Sequence, residues 1–301
     1  MKVFVAGATG AIGKPLIAEL VRQGHTVTGM TRSETGTQAM KELGAAAALV
    51  NAFDAAAVEE ALRRSGAEAV IDELTSLPKS PADMPAARAG DRRLRIEGGS
   101  NLRRAALACG VRRYVQQSSG FFLAPGEGLA DEAVGMAVDA SEGVASHARS
   151  YVELEARVLV PGPMEGVALR YGFFYGPGTW YSPDGACGEM ARRREIPIVG
   201  KGDGVWSWVH IKDAAITTVA ALRAPPGVYN VVDDDPSPVS VWLPAFARFV
   251  RALEPPRVTE EQARSVGGDD AVYYGTRLRG ASNAKAKRIL GFVPRRLEWL
   301  G

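Results

Sequence analysis

Three glycines at a spacing of three, Gly7, Gly10 and Gly13, stand between the apolar run "KVFVA" and the amphipathic stretch "KPLIAELVRQG". Few features restrict a fold as tightly. The first glycine allows a sharp turn, the second lets backbone approach a phosphate, and the third lets a helix lie close to the strand it has just left. The helix N-terminus then offers unpaired N–H groups to an anion. Ile12, Leu16, Ile17, Leu20 and Val21 share one helical face, Gly24 ends the helix, and "HTVTGM" resumes as a strand. A strand, glycine turn, helix and strand in that order predict a dinucleotide-binding unit at the start of the chain.

The alternation continues through "AAALV", "AAAVEEALRRSG", "EAVIDEL", a proline-rich loop, a helix ending at "AALACG" and a strand at "RRYVQQSS". Parallel strands need crossovers of this length, and the crossovers cover the sheet. The expected fold class is therefore α/β: a Rossmann-type doubly wound parallel sheet with a smaller C-terminal substrate-binding domain. The text becomes rich in glycine, proline and tryptophan after "GVALRYGFFYG". This places the dinucleotide-binding domain at 1–175, with a returning segment near 205–235, and the small domain mainly at 176–301. Asp213 reads as the N-cap of "AAITTVAALRAP", and "GVYNVVD" as one more strand.

Composition narrows the function. Apolar residues make up 46% of the chain and charged residues 23%, as in an ordinary soluble globular protein. A net charge of +2 argues for neither nucleic acid nor membrane as a partner. The first apolar run is too short for a signal peptide, and no run reaches the length needed to span a bilayer. Cys109 and Cys187 build no disulfide framework, which favours a reduced, cytoplasmic setting. His25, His147 and His210 have no metal-ligand spacing, so no metal is expected. Eight arginines between Arg88 and Arg113 face only Asp91 and Glu97, and read as the solvated face of a helix. Trp180, Trp206, Trp208, Phe173, Phe174, Tyr175 and Tyr181 are equally suited to a pocket wall or to a core.

The second strand ends "GMTRS", with Arg32 where a cofactor bearing a free ribose 2′-hydroxyl usually meets an acid. A cation there suits a 2′-phosphate. NADP is the expected cofactor, with NAD possible.

With these motifs in place, the chain resembles the short-chain dehydrogenase/reductase superfamily, and within it the extended or atypical group of NAD-dependent epimerase/dehydratases. The resemblance runs over nearly the whole chain through "GATGAIG", "RRYVQQSS", Tyr151 in its helix, "LRYGFFYGPG", "WSWVHIKDAA" and "SNAKAKRILGFVP". It implies cofactor contacts from Gly7, Thr9, Gly10, Ala11, Ile12 and Gly13. Asn51 and Ala52 match the segment beside adenine, although the family usually has Asp in the place of Asn51. Leu74, Thr75 and Ser76 match the loop that runs along the cofactor, and the backbone from Tyr171 to Phe173 the stretch that passes the nicotinamide. Ser119, or Ser118 if the register shifts by one, matches the hydroxyl that orients a substrate carbonyl, and Tyr151 matches the general acid.

One position departs from the pattern. Glu155 stands four residues after Tyr151, where the family has a lysine that holds the ribose and lowers the pKa of the phenol. A carboxylate there disfavours the tyrosinate, so Tyr151 is expected to stay protonated. It could then donate a proton in a reduction or isomerisation, but not easily start an oxidation. The resemblance implies an NADP-dependent oxidoreductase or isomerase acting on a small carbonyl or enone compound. The alternative is a catalytically silent NADP-binding sensor. It further implies a homodimer formed through helices near 90–109 and 147–160.

Overall fold

The computed structural model describes residues 1–300. At its centre lie β1 (Lys2–Ala6), β2 (Thr26–Thr31), β3 (Ala46–Leu49), β4 (Ala69–Asp72), β5 (Arg113–Ser119), β6 (Glu165–Tyr171) and β7 (Gly227–Val231). They form one seven-stranded sheet in the order β7-β6-β5-β4-β1-β2-β3. Every neighbour is parallel. This is the expected doubly wound sheet, and the chain reverses its winding direction between β1 and β4.

Helices cover both faces. α1 (Gly13–Arg22) buries Leu16, Ile17 and Leu20 on one face of the sheet. α2 (Glu34–Glu42) adds Met40 to the same face, while on the other face α3 (Ala55–Ser65) packs Val58 and Leu62 with Phe4, Val70 and Tyr114. α2 and α3 start where Ser33 and Asp54 accept backbone N–H bonds from Gly36 and Ala57. α4 (Met84–Arg93) passes without a break into a π-helical turn, Leu94–Gly98, and then α5 (Gly99–Ala108). Because helices lie on both faces, β5 is buried along its whole length, its polar residues included.

After α6 (Glu142–Val158) and β6, the short strand Phe173–Tyr175 pairs in parallel with Trp208–His210. Between them lies α7 (Ala186–Arg192). α8 (Ile211–Ala221) returns to the sheet and packs Ile211, Ala215 and Val219 against the residues of α1. α9 (Val239–Phe249) and α10 (Glu260–Thr276) enclose a second core of Tyr181, Trp206, Trp208, Trp242, Phe246 and Trp299. Among the described residues no helix is long and apolar enough to cross a membrane.

The start of α8 differs from expectation. His210 is the N-cap, its ring accepting the Lys212 N–H, so the helix begins ahead of Asp213. Asp213 sits inside the first turn and binds Arg295 through contacts of 2.7–3.0 Å. It thereby ties the C-terminal segment to the sheet domain.

Candidate active site

The glycine turn lies at the C-terminal end of β1, beside the crevice where the winding reverses. Gly7 has a φ of +78°, and a Cβ there would lie 2.2 Å from the carbonyl oxygen of Glu73. A Cβ on Gly13 would fall 2.3 Å from the Gly7 oxygen. These two glycines serve the turn and the packing of helix on strand. Gly10 differs: a Cβ there would meet only the Gly7 oxygen, at 3.2 Å, leaving its other side open. Gly10 and Ala11 line a cleft of about 920 Å³, and α1 begins just beyond them. This arrangement fits a pyrophosphate held against backbone N–H groups.

The loop after β4 is built by buried acids. Asp72 accepts the Leu74 N–H at 3.1 Å and the Tyr114 hydroxyl at 2.8 Å. Asp91 of α4 accepts the Ser76 N–H at 2.6 Å. Thr75 and Ser76 are thus held on the cleft wall, while Leu74 is buried and lies outside the lining. Under the glycine turn, Glu73 receives the Tyr171 hydroxyl at 3.0 Å. Burial, with the Asp72 charge adding to it, pushes the Glu73 carboxyl up to about 8. Its Oε2 is buried without a hydrogen-bond partner among the described residues, so a negative charge there would find no compensating donor.

Ser119 ends β5 on the cleft, and its Oγ accepts the Phe121 N–H at 3.4 Å. Its own O–H remains available to a ligand. Ser118 also reaches the lining, but its hydroxyl donates to Glu155 Oε1 at 2.6 Å. Tyr151 of α6 lines the same cleft, buried against Phe122. Burial is the main cause that raises its pKa; Asp91 and Glu73 add to it and Arg95 opposes it.

Glu155 has a different task from the one expected. Arg170 of β6 grips both its oxygens at 2.7 Å, and the pair is buried. Arg170 also donates to the Val134 carbonyl at 3.1 Å, which fixes the loop leading into α6. A carboxylate neutralised in this way is no longer the like charge that was to keep Tyr151 protonated. The phenol is kept protonated chiefly by burial instead. Glu155 lies outside the cleft lining.

Much of the remaining lining is aromatic. Phe121 stacks on Phe173 with ring centroids 3.9 Å apart, and Phe173 stacks on Trp206 at 4.0 Å. Trp180, Tyr181 and Tyr274 complete it. Trp208 and Trp242 belong to the core behind, so the aromatic residues divide between pocket and core. At the rim, Arg88 and Asp270 pair at 3.0 Å. Arg32, Tyr171 and Phe173 also line the cleft, whereas Thr9, Ile12, Asn51 and Ala52 do not. Asn51 turns its side chain onto the Phe53 N–H, and the Ala52 carbonyl accepts from Asn101.

Sequence reasoning missed Arg95, Asp91 and Arg170. Arg95 is buried in the π-helical turn, pairs with Asp91 at 2.7 Å, and lines the cleft, so the helix face read as solvated is not solvated there. The available signal was an acid four residues before an arginine on one helical face. For Arg170 it was an arginine inside a strand otherwise apolar, which needs a buried counter-charge.

A parallel sheet with a glycine turn at its switch point and a tyrosine and serine in one cleft defines a nucleotide-dependent oxidoreductase or epimerase. The family model described as "NAD dependent epimerase/dehydratase family" matches residues 3–231, and the chain belongs to this family of enzymes. A relative from a Streptomyces species, named 3-diazoavenalumate denitrifying reductase, is 37% identical over 302 residues, covering 99% of this chain and 98% of its own. Among solved structures, UDP-glucose 4-epimerase from Thermus thermophilus, in complex with NAD, is 24% identical with a TM-score of 0.73, covering 98% of this chain and 94% of that one. The Thermotoga maritima UDP-glucose 4-epimerase with UDP-glucose is 19% identical with a TM-score of 0.77 and the same coverages, 98% and 94%. At these identities the two structures speak to the fold.

The cofactor expected from Arg32 is corrected. The solved relatives from Thermus thermophilus, Stenotrophomonas maltophila and Bordetella bronchiseptica are complexes with NAD, not NADP. Arg32 is exposed at the mouth of the cleft. An exposed, flexible guanidinium there does not exclude a free 2′-hydroxyl, so its presence alone does not select a 2′-phosphate.

Proposed function

We propose that the chain is an NAD-dependent reductase of a small, planar, electron-poor compound, in which Ser119 orients the acceptor atom and Tyr151 donates a proton to it. The observation that carries this reading is the placing of Tyr151 and Ser119 in one cleft with the glycine turn and the aromatic wall. Glu155, in the place of the family's lysine, belongs to the same reading as a support of the helix rather than a ligand of the ribose.

When bound, NADH supplies the hydride. The chain's own residues supply the rest. Ser119, whose oxygen is already engaged by the Phe121 N–H, directs its O–H toward the acceptor. Tyr151 holds its proton because burial disfavours the phenolate, and releases it to the heteroatom on which negative charge develops. Phe121, Phe173 and Trp206, stacked on one another, exclude water and give a planar substrate an apolar aromatic wall to lie against. Carbonyl and enone compounds fit this scheme, and the name of the Streptomyces relative adds diazo compounds to the acceptors worth testing.

The test is NADH consumption against a panel of aromatic carbonyl, enone and diazo compounds. Tyr151→Phe is expected to lower kcat by roughly 100-fold or more while NADH binding by calorimetry stays unchanged. No NADH consumption across the panel, or full activity in Tyr151→Phe, would overturn the reading.

A further inference from the structure

A buried tyrosine that gives up its proton becomes a buried anion, and Tyr151 has no lysine one helical turn along its own helix to receive that charge. Glu155 is occupied by Arg170 and Ser118. We propose that Arg95 supplies the missing positive charge to Tyr151 from the neighbouring π-helical turn, as a positioning residue aimed by Asp91. The proposal rests on the reading of Tyr151 as proton donor.

The geometry carries it. The Arg95 guanidinium carbon lies 5.2 Å from the centre of the Tyr151 ring. Its Nε donates to Asp91 Oδ2 at 2.7 Å, and its Nη1 reaches Gln117 Oε1 of β5 at 3.4 Å. A guanidinium keeps its proton at every accessible pH, so this charge is permanent. Asp91 uses its other oxygen for the Ser76 N–H, so one carboxylate orients both the cation and the loop expected to run beside the cofactor. π-Helical turns inside α-helices frequently mark functional sites, and this one lies between α4 and α5 and brings Arg95 to the cleft.

The other groups around Tyr151 do not perform this task. Asp91 and Glu73 are acids, and their charges raise the pKa of the phenol, as burial does; Arg95 opposes them. Tyr274 of α10 is a second buried phenol with a pKa well above its ordinary value. His147, one turn earlier on α6, has its pKa lowered by burial and stacks on Phe122. Arg88 is engaged with Asp270.

The experiment compares the full chain with Arg95→Gln and Arg95→Lys, each alone and combined with Tyr151→Phe. Alkaline ultraviolet titration isolates Tyr151 as the tyrosinate signal that Tyr151→Phe removes, and it needs no turnover. Arg95→Gln is expected to move that midpoint upward by roughly one pH unit or more, and Arg95→Lys to return it toward the starting value. In NADH-dependent reduction, Arg95→Gln should lower kcat about tenfold. KM for NADH should hold, and no further loss should appear in the Tyr151→Phe background. An unchanged midpoint in Arg95→Gln, or an equal loss with and without the tyrosine, overturns the proposal. If Arg95→Gln does not fold, Asp91→Asn with Arg95→Gln removes both charges, and a smaller upward shift is expected, because losing the guanidinium raises the midpoint while losing the carboxylate partly offsets it. A shifted midpoint in a chain that consumes no NADH on any panel compound would leave the role of Arg95 standing and remove the reductase reading instead.

Discussion

Glu155, four residues after Tyr151, has its partner in Arg170. Both charges are buried, and each is satisfied by the other, by Ser118 or by the Val134 carbonyl. Removing one partner of such a pair leaves an uncompensated buried charge. Glu155→Lys would set two cations against each other, and is expected to cost about 3–5 kcal/mol of folding free energy, read from the denaturant midpoint. An unaltered midpoint together with new alcohol oxidation would mean that residue 155 can turn toward the cleft. Tyr151 and Ser119 were legible as residues because their motifs are short and local. Arg95 was not, because a basic helix in sequence does not show which of its arginines faces inward.

At the scale of elements, the placing of α6 matters most, because it carries Tyr151. Its first turn is capped from far away in sequence: Asp270 of α10 accepts the N–H groups of Gly143 and Val144 at 3.1 and 3.4 Å, and also pairs with Arg88 of α4. Three helices thus meet at the rim of the cleft through one carboxylate. Asp270→Ala is expected to lower stability by about 1–2 kcal/mol, as for the loss of a strong N-cap, and thermal unfolding would show it. A melting temperature equal to that of the unaltered chain would show that α6 does not depend on this contact. The strands of the sheet and the body of the helix from 147 onward could be read from the sequence, but its first turn, 142–146, could not, since that stretch reads as irregular. The cap could not, since Asp270 is more than 120 residues away from the turn it serves.

For the whole molecule, buried acids predict how stability varies with pH. Glu73 keeps its proton in the folded state until about 8, whereas in the unfolded chain it ionises near the ordinary value of 4.5. Below 4.5 the carboxyl is neutral in both states, and the advantage of burying it neutral is fully present. As pH rises toward 8 only the unfolded chain releases the proton, so stability falls, by at most about 1.4 kcal/mol per pH unit for this group. Glu73→Gln should remove that slope between pH 5 and 8 in denaturant titrations, while Asp233, also pushed up to about 8 by burial, contributes equally to both proteins. Equal slopes would show that Glu73 ionises within the fold. The sequence alone determined the sheet, its winding and the glycine turn, because these follow from hydrophobic period and from the few backbone shapes that glycine permits. The tertiary structure decided which charges meet. Glu155 finds Arg170, Arg95 finds Tyr151 and Asp270 finds α6 only once distant segments are packed together, and burial then makes the first two partnerships costly to break.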